Sequence, residues 1–131
     1  MSLTITIKDT TGIGKVTNTI DVFFQSENVT VKDIIEARVL KEVRDYNSAK
    51  PEYFNGLVQP THAEKTLNGY RVMERKKIDE EKQVYIALDA FMKNGYFILV
   101  DNKQVETLEQ EVKVSSSTNI RFVKLTPLVG G

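Results

Sequence analysis

Apolar and polar positions alternate from the start of the chain. Leu3, Ile5 and Ile7 stand between Thr4, Thr6 and Lys8, the period of two expected of a strand with one face on a core. Thr10-Thr11-Gly12-Ile13-Gly14 supplies turn residues. Val16 to Phe24, rich in Thr, Ile, Val and Phe, then predicts a second strand, so the two form an N-terminal hairpin. After the polar break Ser26-Glu27-Asn28 the period changes. Thr30 followed by Asp33 resembles an acidic variant of the capping box, with Val29 placed as a staple residue. Val31, Ile34, Ile35, Val39 and Val43 recur at helical spacing, with Lys32, Glu36, Lys41 and Glu42 assigned to the other side, which predicts an amphipathic helix over residues 30–46.

From Asn47 to Lys77 the pattern weakens. Pro51, Asn55-Gly56, Pro60 and Asn68-Gly69 punctuate short apolar pieces at Tyr53-Phe54, Leu57-Val58 and Tyr70-Arg71-Val72, an irregular excursion with room for a short hairpin. Asp79 to Lys93 carries Val84, Ala87, Leu88, Phe91 and Met92, predicting a second helix stopped by Asn94-Gly95. Tyr96 to Val100 is nearly all apolar, as a central strand buried on both faces would be. Asp101-Asn102-Lys103 turns it into Gln104-Val105-Glu106. Ser115 to Asn119 reads as loop, and Ile120, Phe122 and Leu125 flank Arg121 and Lys124 in a last strand that Pro127 ends. Leu128-Val129-Gly130-Gly131 follows as a tail.

Composition narrows the function more than the fold. A chain of 131 residues implies one domain over 1–131, with residues 47–94 as an inserted segment. Eighteen Lys plus Arg against eighteen Asp plus Glu leaves no net charge to draw the chain to nucleic acid or an anionic membrane. The absence of cysteine excludes disulfides, thiolate zinc sites and thiol nucleophiles. It is compatible with a reducing cytosol. No run approaches the roughly 18 apolar residues of a membrane span, and Met1-Ser2-Leu3-Thr4 alternates rather than opening a signal peptide, so the expectation is a cytoplasmic protein that engages no membrane.

The order of elements resembles the β-grasp of ubiquitin and of the sulfur carriers of thiamin and molybdopterin synthesis. Residues 3–46 carry it as hairpin then helix. Residues 97–131 carry it as strand-turn-strand, loop, last strand and diglycine tail, and Pro127-Leu128-Val129-Gly130-Gly131 is similar to the proline-bearing tails of molybdopterin sulfur carriers. Residues 47–94 have no counterpart in minimal members. The resemblance implies an α+β β-grasp with a mixed sheet and a helical insertion between the first helix and the third strand. It also implies a substrate rather than an enzyme, with no bound cofactor and no metal. In the family an adenylating activating enzyme uses ATP, the modifier's terminal carboxylate attacks the α-phosphate, and the acyl-adenylate passes either to thiols and amines or to sulfide. Gly131 would carry that carboxylate. Gly130, having no Cβ, would let the end run through a narrow channel. Leu128 and Val129 would anchor the tail in a partner's groove or pack back on their own sheet. Further partners implied are a conjugating enzyme, a deconjugating protease or a sulfur-accepting synthase. A natural chain continuing past Gly131 would need a protease to expose the pair. The alternative is a β-grasp interaction module whose terminus never reacts.

Other features read as structure. His62 is the only histidine and has no cysteine or second histidine for a metal or triad site. Gly12-Ile13-Gly14-Lys15 lacks phosphate-loop spacing and reads as a hairpin turn. Arg75-Lys76-Lys77 is answered by Asp79-Glu80-Glu81, whose charges suit a helix N-terminus.

Overall fold

A computed structural model describes residues 2–49, 53–54, 63–66, 69–72 and 78–124. In chain order the elements are β1 (Leu3–Thr10), β2 (Val16–Phe24), β3 (Asn28–Thr30), α1 (Val31–Ala49), β4 (Tyr53–Phe54), β5 (Ala63–Thr66), β6 (Gly69–Val72), α2 (Glu80–Met92), β7 (Tyr96–Val100), β8 (Lys103–Gln104), β9 (Glu111–Lys113) and β10 (Ile120–Lys124). The architecture is α+β. A mixed five-stranded sheet runs β2-β1-β10-β7-β8, antiparallel throughout except for the parallel pair β1–β10.

The first hairpin forms as its sequence predicts. Thr11 and Lys15 close the turn through Thr11 N–H to the Lys15 carbonyl at 2.9 Å, and Gly14 sits at φ +88°, a value that favours glycine. Ile13, between the two glycines, is 92% exposed. β1 then presents Ile5, Ile7 and Asp9 inward and Thr4, Thr6 and Lys8 outward.

The cap of α1 is the reciprocal pair anticipated from Thr30 and Asp33. Thr30 N–H donates to Asp33 Oδ2 at 2.9 Å and Asp33 N–H to Thr30 Oγ1 at 3.1 Å. Two further helix-entry donors, Val31 N–H and Lys32 N–H, reach the carbonyls of Gln110 and Leu108, each at 3.0 Å. These bonds extend the β3–β9 ladder, a pairing the polar run at 26–28 concealed. Val31, Ile34, Ile35, Val39 and Val43 are all fully buried, as predicted. Glu42 is not on the polar side: with Arg38 it lies on the buried face, because positions 38 and 42 continue the stripe set by 31, 34 and 35.

α2 begins at an N-cap, Asp79, whose side chain accepts from Lys82 N–H at 3.2 Å. It ends in a Schellman arrangement: Gly95 N–H reaches the Ala90 carbonyl at 2.8 Å and Asn94 N–H the Phe91 carbonyl at 3.1 Å, with Asn94 at φ +60°. Ala87 and Phe91 are buried and Val84 and Leu88 half-buried, whereas Met92, expected on the same face, is exposed beside Tyr85 and Ile86.

Three more expectations are revised. β7 is not buried on both faces: Tyr96, Ile98 and Val100 are buried, but Phe97 and Leu99 on the outer face are only half-buried. The middle of the sheet is β10, with β7 beside it. The inserted segment is not only helical, since β4, β6 and β5 form a three-stranded antiparallel sheet; β5 and β6 make a hairpin where the sequence left room for one without placing it, and Tyr53-Phe54 adds a strand to it. His62, Leu57-Val58, Arg75-Lys76-Lys77, Leu125 and Pro127 lie outside the described residues.

Candidate functional site

The four tail residues singled out from the sequence, Leu128, Val129, Gly130 and Gly131, also lie outside the described residues. The structure does describe the place they follow from: the end of β10 at Lys124, beside the end of β1. There the inner layer between α1 and the sheet becomes ionic. The inward positions of β1 run Ile5, Ile7, Asp9, and one turn after Ile34 the inward face of α1 offers Arg38 and then Glu42.

Arg38 is 0% exposed, Asp9 1% and Glu42 4%. The two Nη groups of Arg38 form a fork on the Asp9 carboxylate, Nη1 to Oδ1 and Nη2 to Oδ2, the latter at 2.6 Å. Nη2 also donates to Glu42 Oε1 at 3.2 Å. Asn18 Nδ2 donates to Asp9 Oδ2 at 3.3 Å, and Lys124 Nζ stands 3.8 Å from the same oxygen. Two carboxylates and two cations therefore compensate one another. Arg38 Nε has no hydrogen-bond partner among the described residues.

Aromatic rings carry the network outward. The guanidinium carbon of Arg38 lies 4.6 Å from the centre of the Phe122 ring, within cation–π range. Phe122 stacks on Tyr96 with centroids 5.6 Å apart, and the Tyr96 hydroxyl donates to the Ala87 carbonyl at 2.7 Å. One connected path thus runs β1, α1, β10, β7, α2. Burial disfavours the charge on Arg38, but the Asp9 hydrogen bonds and the Glu42 charge outweigh it and raise its pKa further. Burial lowers Lys124, partly offset by Asp9. Burial raises Tyr96, the Arg38 charge pulling slightly the other way.

A second feature is the outer face of the sheet. Register pairs Phe97 with Val123 and Leu99 with Arg121, and Phe23 on β2 is 58% exposed. A third is a cavity of about 490 Å³ lined by Arg44, Asn47, Ile78, Asp79, Glu80 and Glu81. Two of its three acidic groups already have structural work: Asp79 caps α2, and Glu80 Oε2 accepts from Arg44 Nε at 3.1 Å. Among the described residues no group of three or more His, Cys, Asp or Glu could hold a metal ion. No helix among them is long and apolar enough to cross a membrane.

The ionic network was missed in the sequence although its spacing was visible. Asp9 sits two residues after Ile7, and Arg38 and Glu42 fall on the helical stripe. Their charge hid them, since charged residues are buried only when paired. No protein-family model, curated protein or solved structure matches the chain.

Proposed function

We propose that the chain is a β-grasp protein that acts through its diglycine, as a ubiquitin-like modifier or sulfur carrier adenylated at Gly131 by an ATP-using activating enzyme. One observation carries the reading: hairpin, helix and strand-turn-strand are joined by a last strand that returns parallel to the first in mid-sheet, and the segment after that strand holds Gly130-Gly131. This order is compatible with a β-grasp. Residues 125–131, if extended, span about 25 Å at most, enough for a terminal carboxylate to enter a partner's channel. Gly131 would present that carboxylate, whether as the natural end or as one exposed by cleavage, while Gly130 gives it access and Leu128 and Val129 anchor the tail. The partners under this reading are the activating enzyme and either a conjugating enzyme and deconjugating protease or a sulfur-accepting synthase. The setting is the cytoplasm.

The test is the intact mass of the protein after incubation with MgATP and the activating enzyme encoded near it. An adenylate, a carboxylate with one oxygen replaced by sulfur, or an adduct through Gly131 is expected. Deleting Gly131 abolishes the product and leaves the melting temperature unchanged, since a terminal glycine has no side chain to bury. A terminus that stays a plain carboxylate overturns the reading.

One observation favours a second reading, a β-grasp interaction module whose terminus never reacts. The outer sheet face places half-buried Phe97, Leu99 and Val123 side by side, a surface suited to a protein partner.

A further inference from the structure

β2 lies at one edge of the five-stranded sheet and is nine residues long, whereas β8 at the other edge is two. Among the described residues no strand pairs with the free side of β2. Such an edge presents a row of backbone donors and acceptors, which proteins ordinarily blunt with lysine, proline or a very short strand. Val16–Phe24 contains neither lysine nor proline, and its one charge is Asp21. Its one irregularity is at Thr17, where the pairing with β1 steps from Asn18 to Val16 and leaves residues 18–24 regular. Two apolar side chains stay partly uncovered there, Ile20 on the helix side and Phe23 on the outer side.

We infer that β2 is a self-association edge whose occupant is β2 of a second copy, added antiparallel about a twofold axis at Ile20. Two observations select a second copy. The chain has no formal net charge, so copies approach without long-range repulsion. The strand is also self-complementary: with Ile20 opposite Ile20, Thr19 faces Asp21 and Asn18 faces Val22, and no carboxylate opposes another. A register centred on Asp21 sets the two carboxylates against each other. One centred on Val22 sets each carboxylate against Phe23. The Ile20 register instead brings two half-covered apolar side chains together on the helix side and joins the sheets of two copies edge to edge.

A ladder this short lies at the low end of specific interfaces, below about 1,200 Å², so the dimer forms at high protein concentration. Sedimentation equilibrium on the full chain from about 10 μM to about 1 mM spans the relevant affinities. The mass is expected to climb from 14.9 kDa toward twice that value. Thr19→Lys puts an ammonium opposite Asp21 twice per dimer and tightens association about 2- to 30-fold, and Thr19→Asp weakens it by a similar factor. Combining Thr19→Asp with Asp21→Lys restores it. Thr19 and Asp21 are both exposed, and Asp21→Lys gives up only the exposed Thr6 Oγ1 hydrogen bond to Asp21 Oδ1 at 2.6 Å, so these variants keep the fold, which circular dichroism checks. Should one not fold, wild-type amide exchange over 18–22 decides: slowing at high concentration supports the dimer, and no change overturns it. A mass fixed at 14.9 kDa throughout, or a dimer indifferent to charge at position 19, also overturns it.

Discussion

The layer between α1 and the sheet has two ends built on different physics. At one end Ile5, Ile7, Ile34, Ile35, Ile98 and Ile120 are fully buried and hold together without direction, each contributing roughly 1.5–3 kcal/mol by leaving water. At the other end Arg38, Asp9 and Glu42 are buried just as deeply, and their contribution depends on geometry: a fork on a carboxylate, a second carboxylate a turn along the helix and an aromatic ring beneath the guanidinium. The apolar end tolerates apolar side chains of the right volume. The ionic end tolerates only a matched set, because the cost of burying each charge is returned only by its partners.

The largest effect expected separates the two ends most sharply. Arg38→Met strands two buried carboxylates and costs about 3–5 kcal/mol in urea unfolding. Adding Asp9→Val and Glu42→Leu removes the stranded charges and recovers most of that loss. If the triple variant stays as unstable as the single one, the network contributes something beyond compensated charge. Next comes Ile34→Ala at the apolar end, at roughly 2–5 kcal/mol through lost burial and a residual cavity. A cost under about 0.5 kcal/mol would show that the helix face packs more loosely than its burial implies.

The smallest effect lies where the two ends meet the aromatic path. Tyr96→Phe removes the hydrogen bond to Ala87 at a cost of about 0.5–1.5 kcal/mol. It also changes the alkaline limb of the stability curve. Burial first of all raises the Tyr96 phenol above its ordinary 10.0, so above that pH the unfolded chain releases a proton the folded chain keeps, and stability falls. Lys124, lowered chiefly by burial, works with the opposite sign and adds stability as pH rises toward 10.5. The difference between wild type and Tyr96→Phe isolates the phenol. A loss above pH 10 that is identical in both proteins would assign the alkaline transition elsewhere.

The same contrast explains what could be read from the chain. Periods of 2 and 3.6 located β1, α1, α2 and β10, because in each an apolar face meets the core, while β2 showed through its β-branched and aromatic composition and β7 through a continuous apolar run. Thr30 and Asp33 announced the helix start, and Asn94-Gly95 its successor's end, through local hydrogen bonding that needs no distant partner. Asp9, Arg38 and Glu42 escaped because their burial is licensed only by one another, with Asp9 and Arg38 standing 29 positions apart in the sequence. β3 and β9 escaped because a three-residue pairing has too few positions for a period to show. The exposed Met92 and half-covered Phe97 and Leu99 were misplaced for the converse reason, since an apolar side chain does not declare whether the chain's own core covers it.

The parallel pairing of β1 with β10 also governs when the sheet can close. Ile7 meets Ile120 only after more than a hundred intervening residues have been made, and β10 is the strand that joins the β1–β2 hairpin to β7–β8. Closing so long a loop costs conformational entropy before any contact repays it, which places the step late and makes it slow. During synthesis the first hairpin and α1 therefore emerge from the ribosome with their inner faces uncovered along the line where β10 will lie. That interval is the one in which this apolar surface is open to chaperones and wrong partners, and it closes when residues 120–124 pair with β1.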